Sequence, residues 1–425
     1  MGRYNMQKGL NNQKIQQTNR SLILEMIIDR GIVTRKEMID LTGLHKPTIT
    51  NIVNELLEMN VIEECEVPRK EGQRKVVGFA LKTQKIKILS ARWARDFFEV
   101  ALYTLSGEII DSERCAVNPE EEIELTANKN LAAIYRLLER HHTSHVLGMC
   151  IGVPGPYIKA EKNQALVAGY DNLQKIDIQK YFEDKFPFPV ITEHDAHLSA
   201  FAEWKSMSQN ERNKYNCMLA LQSLGIGIGA GVILNGKIVE GAFGVSGEIG
   251  QMGILFSGVK NSQGARGKLE NYASSSSVKK YVRTRLFEFP ESELSEESSY
   301  DQILQAYYEN DPLAVWAFDV IAWHLAYGLA NTIFVINPGI IIIGPDYPKA
   351  KRFTDKIKQA LNGLMDERIS SRIEIRYSEI DKDPTLEGGY RYVVDMFIHN
   401  RMLFERVSEI MGGHASVESE NMECN

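Results

Sequence analysis

The chain has 425 residues, 44% hydrophobic and 25% charged, with a net charge of −7. This is the composition of a soluble globular protein, and the length calls for two or three domains rather than one core. No run of about 18 apolar residues stands out and no basic-then-apolar leader opens the chain, so a membrane span and secretion are not expected. The cysteines Cys65, Cys115, Cys150, Cys217 and Cys424 are scattered and odd in number, a pattern that suits a reducing cytoplasm rather than a disulfide framework or a metal-ligand set.

The charge is uneven. Residues 1–85 hold 14 Lys and Arg against 10 Asp and Glu, a balance of +4, and the rest of the chain carries −11. A mildly basic head on an acidic body is compatible with a nucleic-acid contact at the N-terminus. Residues 1–18 are polar and read as loosely ordered. A helix is predicted over Asn19–Asp29, ended by Gly31. Thr34 and Glu37 form a capping box that starts a short helix through Leu41, and Gly43 makes the turn. Pro47 occupies the first turn of a third helix, whose Ile49, Ile52, Val53, Leu56 and Leu57 keep the helical period. This is the helix-turn-helix order. The third helix offers Lys46, Thr48, Thr50, Asn51 and Asn54 on its other side, short donors and acceptors suited to base edges and phosphates. Strands Val61–Glu66 and Val76–Leu81 then flank a loop holding Arg69, Lys70, Arg74 and Lys75, a two-stranded wing with a basic tip.

Beyond residue 85 strand-like runs alternate with helical ones, which is an α/β pattern. Strands are predicted at Val190–Thr192, Met218–Leu221 and Ile340–Ile343, and the longest helix over Asp311–Phe334. A strand-and-hairpin arrangement occurs twice, near Ile86–Glu113 and near Met218–Glu240, implying two similar halves.

The glycine-rich run Gly225-Ile226-Gly227-Ile228-Gly229-Ala230-Gly231, the Gly247-Glu248-Ile249-Gly250-Gln251 segment and Gly264, Gly267 and Glu270 together resemble the ROK family of repressors and sugar kinases. The head resembles the winged helix-turn-helix of its repressors. The resemblance covers about residues 15–400 and implies an N-terminal winged helix-turn-helix (1–85) followed by a two-lobed actin-like ATPase fold. Its first lobe is expected over 86–195 and its second over 196–400, with a polar tail at 401–425. It also implies a sugar site at the cleft, made of His194, Asp195, Glu248, Gln251 and Glu270 beside the Gly155 turn. Carboxylates suit adjacent hydroxyls, because one carboxylate accepts from two at once.

Against the kinase branch, this chain departs at each nucleotide motif. Where Asp-x-Gly-Gly-Thr would hold metal and phosphate, it has Arg92-Trp93-Ala94-Arg95-Asp96, and a Trp and two Arg are expected to crowd the phosphate path. Ile226 replaces a Thr whose hydroxyl would donate to a phosphate oxygen, and Pro345 replaces a Gly. The zinc ligands of the family are replaced by Gln251, Asn261, Gln263 and Lys268, so no metal is expected. Asp195 keeps the position of the family's catalytic base, yet no catalytic residue and no cofactor are expected. His197 reads as a packing residue.

The resulting expectation is a cytoplasmic, sugar-responsive repressor of carbohydrate-metabolism genes. Its partners are operator DNA, a monosaccharide or sugar derivative, and further copies of itself, as a dimer or dimer of dimers. The alternatives are a sugar kinase with an appended head and a regulator controlled by a protein partner.

Overall fold

The computed structural model describes residues 12–67, 76–82, 85–143, 145–159, 164–167, 169–223, 227–260 and 264–412. The head opens with α1 (Asn12–Arg30), then β1 (Ile32–Thr34), α2 (Arg35–Thr42), α3 (Lys46–Glu58), β2 (Ile62–Glu66) and β3 (Val77–Leu81). The capping box forms as its residues dictate: the Glu37 amide donates to Thr34 Oγ1 at 3.2 Å and the Thr34 amide donates to Glu37 Oε2 at 2.8 Å. Gly43 ends α2 in the left-handed region, and Pro47 lies in the first turn of α3. Strands β2 and β3 pair antiparallel, and β1 adds itself to the other edge of β3. The first helix begins seven residues earlier than expected. Polar Gln17 and Ser21 earn their helical place by donating to the carbonyls of His399 and Ile398, a tertiary support that no local pattern carries.

The first lobe comprises β4 (Lys87–Trp93), β5 (Phe97–Thr104), β6 (Ile109–Ala116), α4 (Ile123–Arg140), β7 (Val146–Val153), the short hairpin β8 (Tyr157–Ile158) and β9 (Gln164–Ala165), α5 (Ile178–Glu183) and β10 (Val190–His194). Its sheet has the order β10-β7-β4-β5-β6, with β4, β5 and β6 antiparallel and β7 and β10 parallel to β4. Next come α6 (Asp195–Ser206) and α7 (Gln209–Lys214), which lead into the second sheet: β11 (Cys217–Gln222), β12 (Gly229–Leu234) and β13 (Lys237–Ile238). Four helices follow, α8 (Glu270–Ala273), α9 (Ser275–Arg285), α10 (Tyr300–Tyr308) and α11 (Pro312–Ile336), then β14 (Ile340–Ile343), α12 (Lys351–Leu364), α13 (Glu367–Ser370) and β15 (Glu374–Tyr377). The second sheet repeats the first in order, β13-β12-β11-β14-β15, and in direction. This duplicated pair of sheets around a cleft is the two-lobed actin-like arrangement.

The four isoleucines of β14 are all buried, as a parallel strand covered on both faces requires. Helix α11 corrects the expectation from composition, because it is long and apolar enough to cross a membrane. One face of it packs against α8, α9, α10 and α12 at the centre of the second lobe's core, while Trp323, Tyr327, Phe334 and Val335 leave its other face apolar and exposed. Asp311 caps its N-terminus by accepting from the Ala314 amide at 3.0 Å, and Asn337 ends it in the left-handed region.

Two further helices return to the first lobe and the head: α14 (Pro384–His399) and α15 (Arg401–Gly412). The segment from 401, read as a polar tail, is helical at least to Gly412. Leu403, Phe404 and Val407 are buried in one core with Ile23, Leu24 and Ile27 of α1 and Phe397 of α14. Head, first lobe and C-terminal helices thus share one apolar cluster.

Candidate functional site

The cleft between the lobes has a volume of about 980 Å³. His194, Asp195, Glu248, Gln251, Glu270 and Gly155 all line it. His194 ends β10 and Asp195 opens α6, so a strand end and a helix N-terminus present them together. His194 Nε2 lies 3.2 Å from Asp195 Oδ1 and 3.6 Å from Glu248 Oε1. Gly155 makes this approach possible, since a Cβ there would come within 2.3 Å of His194 Nε2 and 2.4 Å of Glu248 Oε1. Gly247 (φ +81°) turns the chain into Glu248, and its missing Cβ leaves room for the Ala230 carbonyl. On the far wall Gln251 Nε2 donates to Glu270 Oε2 at 2.9 Å.

The electrostatics are those of a desolvated acidic site. Burial raises Glu248 to about 8, helped by the Asp195 charge. Burial also raises Asp195, to about 6, against the pull of Arg92. Glu270 is raised by burial as well, and His194 is pushed down to about 3 by burial. Two buried atoms on the cleft wall, His194 Nδ1 and Glu248 Oε1, have no hydrogen-bond partner among the described residues. Buried polar atoms are rarely left so, and a polar ligand is one way to satisfy them.

Beneath this wall a charged network locks its segments. His197 is buried and uses both ring nitrogens, Nδ1 to Glu193 Oε1 at 3.0 Å and Nε2 to the Ser246 carbonyl at 2.9 Å. Lys159 pairs with Glu193 and, at 2.9 Å, with Glu240. Burial acts against the Glu193 charge, but His197 and Lys159 outweigh it and hold that carboxylate near 2. His197 therefore ties the His194-Asp195 junction to the loop that carries Glu248.

On the other side of the cleft, Arg92 and Arg95 line the wall as expected, with Ala94 between them. Trp93 does not, and the expectation that it crowds the cleft is corrected. Side chains alternate along β4, so Trp93 points to the opposite face. There it is fully buried, edge-on to Phe98 and Phe182, and donates to Tyr170 Oη at 3.2 Å. Arg92 is ion-paired with Asp383. Burial disfavours its charge, but Asp383 and then Asp195 hold the guanidinium firmly protonated. Asp383 uses its other oxygen to cap α14, accepting from the Thr385 and Leu386 amides at 2.8 and 3.1 Å. Sequence reading missed Asp383 and also Asp346, which accepts from the Ser223 amide at 3.1 Å and is raised by burial to about 6. The only sequence signal for Asp346 was its place immediately after Gly344-Pro345. Gly225 and Ile226 lie outside the described residues.

Of the four positions that replace zinc ligands, Asn261 and Gln263 lie outside the described residues. Lys268 Nζ donates to the Gln251 carbonyl at 2.6 Å, bracing the loop. On the head, Lys46, Asn51 and Asn54 are exposed on α3 and Thr48 is half-buried. Thr50 is half-buried too, and its hydroxyl proton goes to the Lys46 carbonyl at 2.9 Å, leaving only lone pairs outward. Arg69, Arg74 and Lys75 lie outside the described residues.

A sequence profile of the ROK family matches residues 91–390. A xylose repressor of Caldicellulosiruptor bescii is 28% identical over 83% of this chain and 89% of its own length. A glucokinase of Halalkalibacterium halodurans is 27% identical over 68% of this chain and 90% of its own. The crystal structure of a ROK family transcriptional regulator, a homologue of the E. coli MLC protein, superposes with a TM-score of 0.79 at 24% identity, covering 93% of this chain and 99% of that one. A glucokinase from Streptomyces griseus, solved with glucose and AMPPNP, superposes with a TM-score of 0.61 at 21% identity, covering 72% of this chain and 98% of that one. The chain belongs to the ROK family.

Proposed function

We propose that this protein is a sugar-responsive transcriptional repressor whose kinase-like body binds a monosaccharide without phosphorylating it. The observation that carries the reading is the contrast across the cleft. On one side Arg92, paired with Asp383, holds the position that the resemblance assigns to the metal-binding carboxylate of the kinases. On the other, His194, Asp195, Glu248 and Glu270 line the cleft together, with His194 Nδ1 and Glu248 Oε1 unpartnered among the described residues and suited to ring hydroxyls. The head carries the DNA contact, with Lys46, Thr48, Thr50 and Asn51 of α3 in the major groove and Arg69, Arg74 and Lys75 of the wing on the backbone. Two heads in a dimer would match a two-fold operator.

Relatives named xylose repressors make D-xylose the first candidate, and the N-acetylglucosamine repressors of E. coli make N-acetylglucosamine the second. Sugar must prefer one state of the body to change DNA affinity. The test is fluorescence anisotropy on fragments from upstream of the protein's own gene, titrated with D-xylose, D-glucose and N-acetylglucosamine. The reading requires preference for one fragment over random DNA and a shift with at least one sugar. Equal affinity for all DNA, or indifference to every sugar, refutes it.

A further inference from the structure

We propose that α14 is the lever that carries occupancy of the cleft to the recognition helix, with the Arg92–Asp383 pair at one end and the docking of α1 at the other. The inference rests on the sugar-sensing reading for what moves the lever, but the lever itself is read from the contacts of α14 with β4, α6 and α1.

At the cleft end α14 is fastened to both halves of the site. Asp383 pairs with Arg92 on β4 while capping the helix, and Ser90 of the same strand donates to the Leu386 carbonyl at 2.6 Å. Thr385 Oγ1 lies 3.1 Å from Ser199 Oγ, one turn along α6 from Asp195. Ser199 in turn donates to Gln222 Oε1 of the second lobe at 2.7 Å. The shaft of α14 packs so closely on α6 that a Cβ at Gly388 would fall 2.0 Å from the Leu198 carbonyl. A 16-residue helix spans about 24 Å at 1.5 Å per residue.

At its far end the last carbonyls hold the head. Ser21 Oγ donates to Ile398 O at 2.8 Å, Gln17 Nε2 donates to His399 O at 2.6 Å, and His399 Nε2 lies 3.1 Å from Glu25 Oε1. From α1 the route continues to α3 through Arg20, which pairs with Glu55 at 3.0 Å and stacks over Phe404 of α15 at 3.6 Å. Arg92 is drawn by both Asp383 and Asp195. A ligand that engages Asp195 changes that balance and with it the anchorage of the helix. Rigid elements fastened at both ends transmit small shifts because packed interfaces are bistable rather than continuously deformable.

Asp383→Asn tests this on the full chain. Asn caps a helix as well as Asp does, so α14 keeps its start while losing the charge that holds Arg92. Hydrogen exchange without any ligand should rise in residues 17–28 of α1 and in the last turn of α14 by about tenfold or more. Asp366→Asn, a cap on the exposed Asp366–Arg368 pair, should leave α1 unchanged. Ser21→Ala tests the reverse direction and should raise exchange at amides 385–389. In both lever variants the ratio of operator affinities without and with D-xylose should collapse toward 1. Exchange changes confined to residues 383–392 for Asp383→Asn, or to the head for Ser21→Ala, overturn the lever. If exchange propagates but D-xylose has no effect on the wild type, the lever stands and the choice of xylose falls.

Discussion

Glu248→Gln should stabilise the fold while weakening sugar binding, and the stability gain should depend on pH. Burial and the nearby Asp195 raise Glu248 from an ordinary 4.5 to about 8. A carboxyl with a raised folded value is neutral in the folded protein and ionised in the unfolded chain through the interval between the two. The penalty is absent below pH 4.5, grows by about 1.4 kcal/mol per pH unit, and is complete above about pH 8. At pH 7 it amounts to roughly 3 kcal/mol, and at pH 5 to under about 1 kcal/mol. Gln keeps the shape and removes the titration, although its amide adds donors in a wall where Glu248 Oε1 already lacks a partner. A buried unmet donor costs about 1–3 kcal/mol, so the net gain at pH 7 is about 0–2 kcal/mol, a rise of at most about two degrees in melting temperature. Differential scanning fluorimetry of wild type and variant from pH 4.5 to 8 reads this directly. The difference should grow with pH and shrink toward or below zero at pH 4.5. A constant offset, or a loss that deepens as pH rises, would refute the desolvated-carboxylate account.

A coupled assay with hexoses, pentoses and N-acetylated sugars should find no turnover reaching about 1 per second, the low end for kinases. Arg92→Asp alone should not restore it, because Ala94 and Arg95 still line the cleft beside it. Asn51→Ala should cost about 1–3 kcal/mol and relax sequence preference at one base pair, read by competition binding. Neutralising Arg74 or Lys75 should instead lower the salt slope of binding by about 1 each, uniformly across sequences. Elemental analysis of the purified protein should find well below one zinc per chain, and about one that resists mild chelation would contradict the altered ligand set.

The sequence was readable where a local rule decided the outcome. Thr34 with Glu37, Pro47 and the period of Ile49 to Leu56 defined the head, and the family resemblance singled out Glu248 through Gly247-Glu248-Ile249-Gly250 and Glu270 through Gly264 and Gly267, both of which line the cleft. What it concealed depended on contacts distant along the chain. The start of α1 is held by carbonyls of Ile398 and His399, and α15 is helical because Leu403, Phe404 and Val407 meet the head's core. Trp93 was misplaced because motif comparison ignores strand alternation: its neighbour Arg92 faces the cleft and it cannot. Asp383 was invisible because its importance lies in a pairing with a residue 291 positions away. The apolar character of α11 hides from a count of consecutive apolar residues because Asp319 and His324 interrupt it; packing against four helices accounts for its buried face, and Trp323, Tyr327, Phe334 and Val335 remain exposed.

The central claim is that the cleft and the head are thermodynamically one system. Calorimetric titration of the sugar into protein alone, and into protein saturated with operator fragment, tests it most directly. If sugar changes operator affinity by some factor, operator must change sugar affinity by the same factor, and such couplings typically lie at about 5–150-fold. The account predicts matching factors in that range, with Glu248→Ala losing sugar binding by about tenfold or more while binding operator normally in its absence. Sugar affinity unchanged by saturating operator would contradict it.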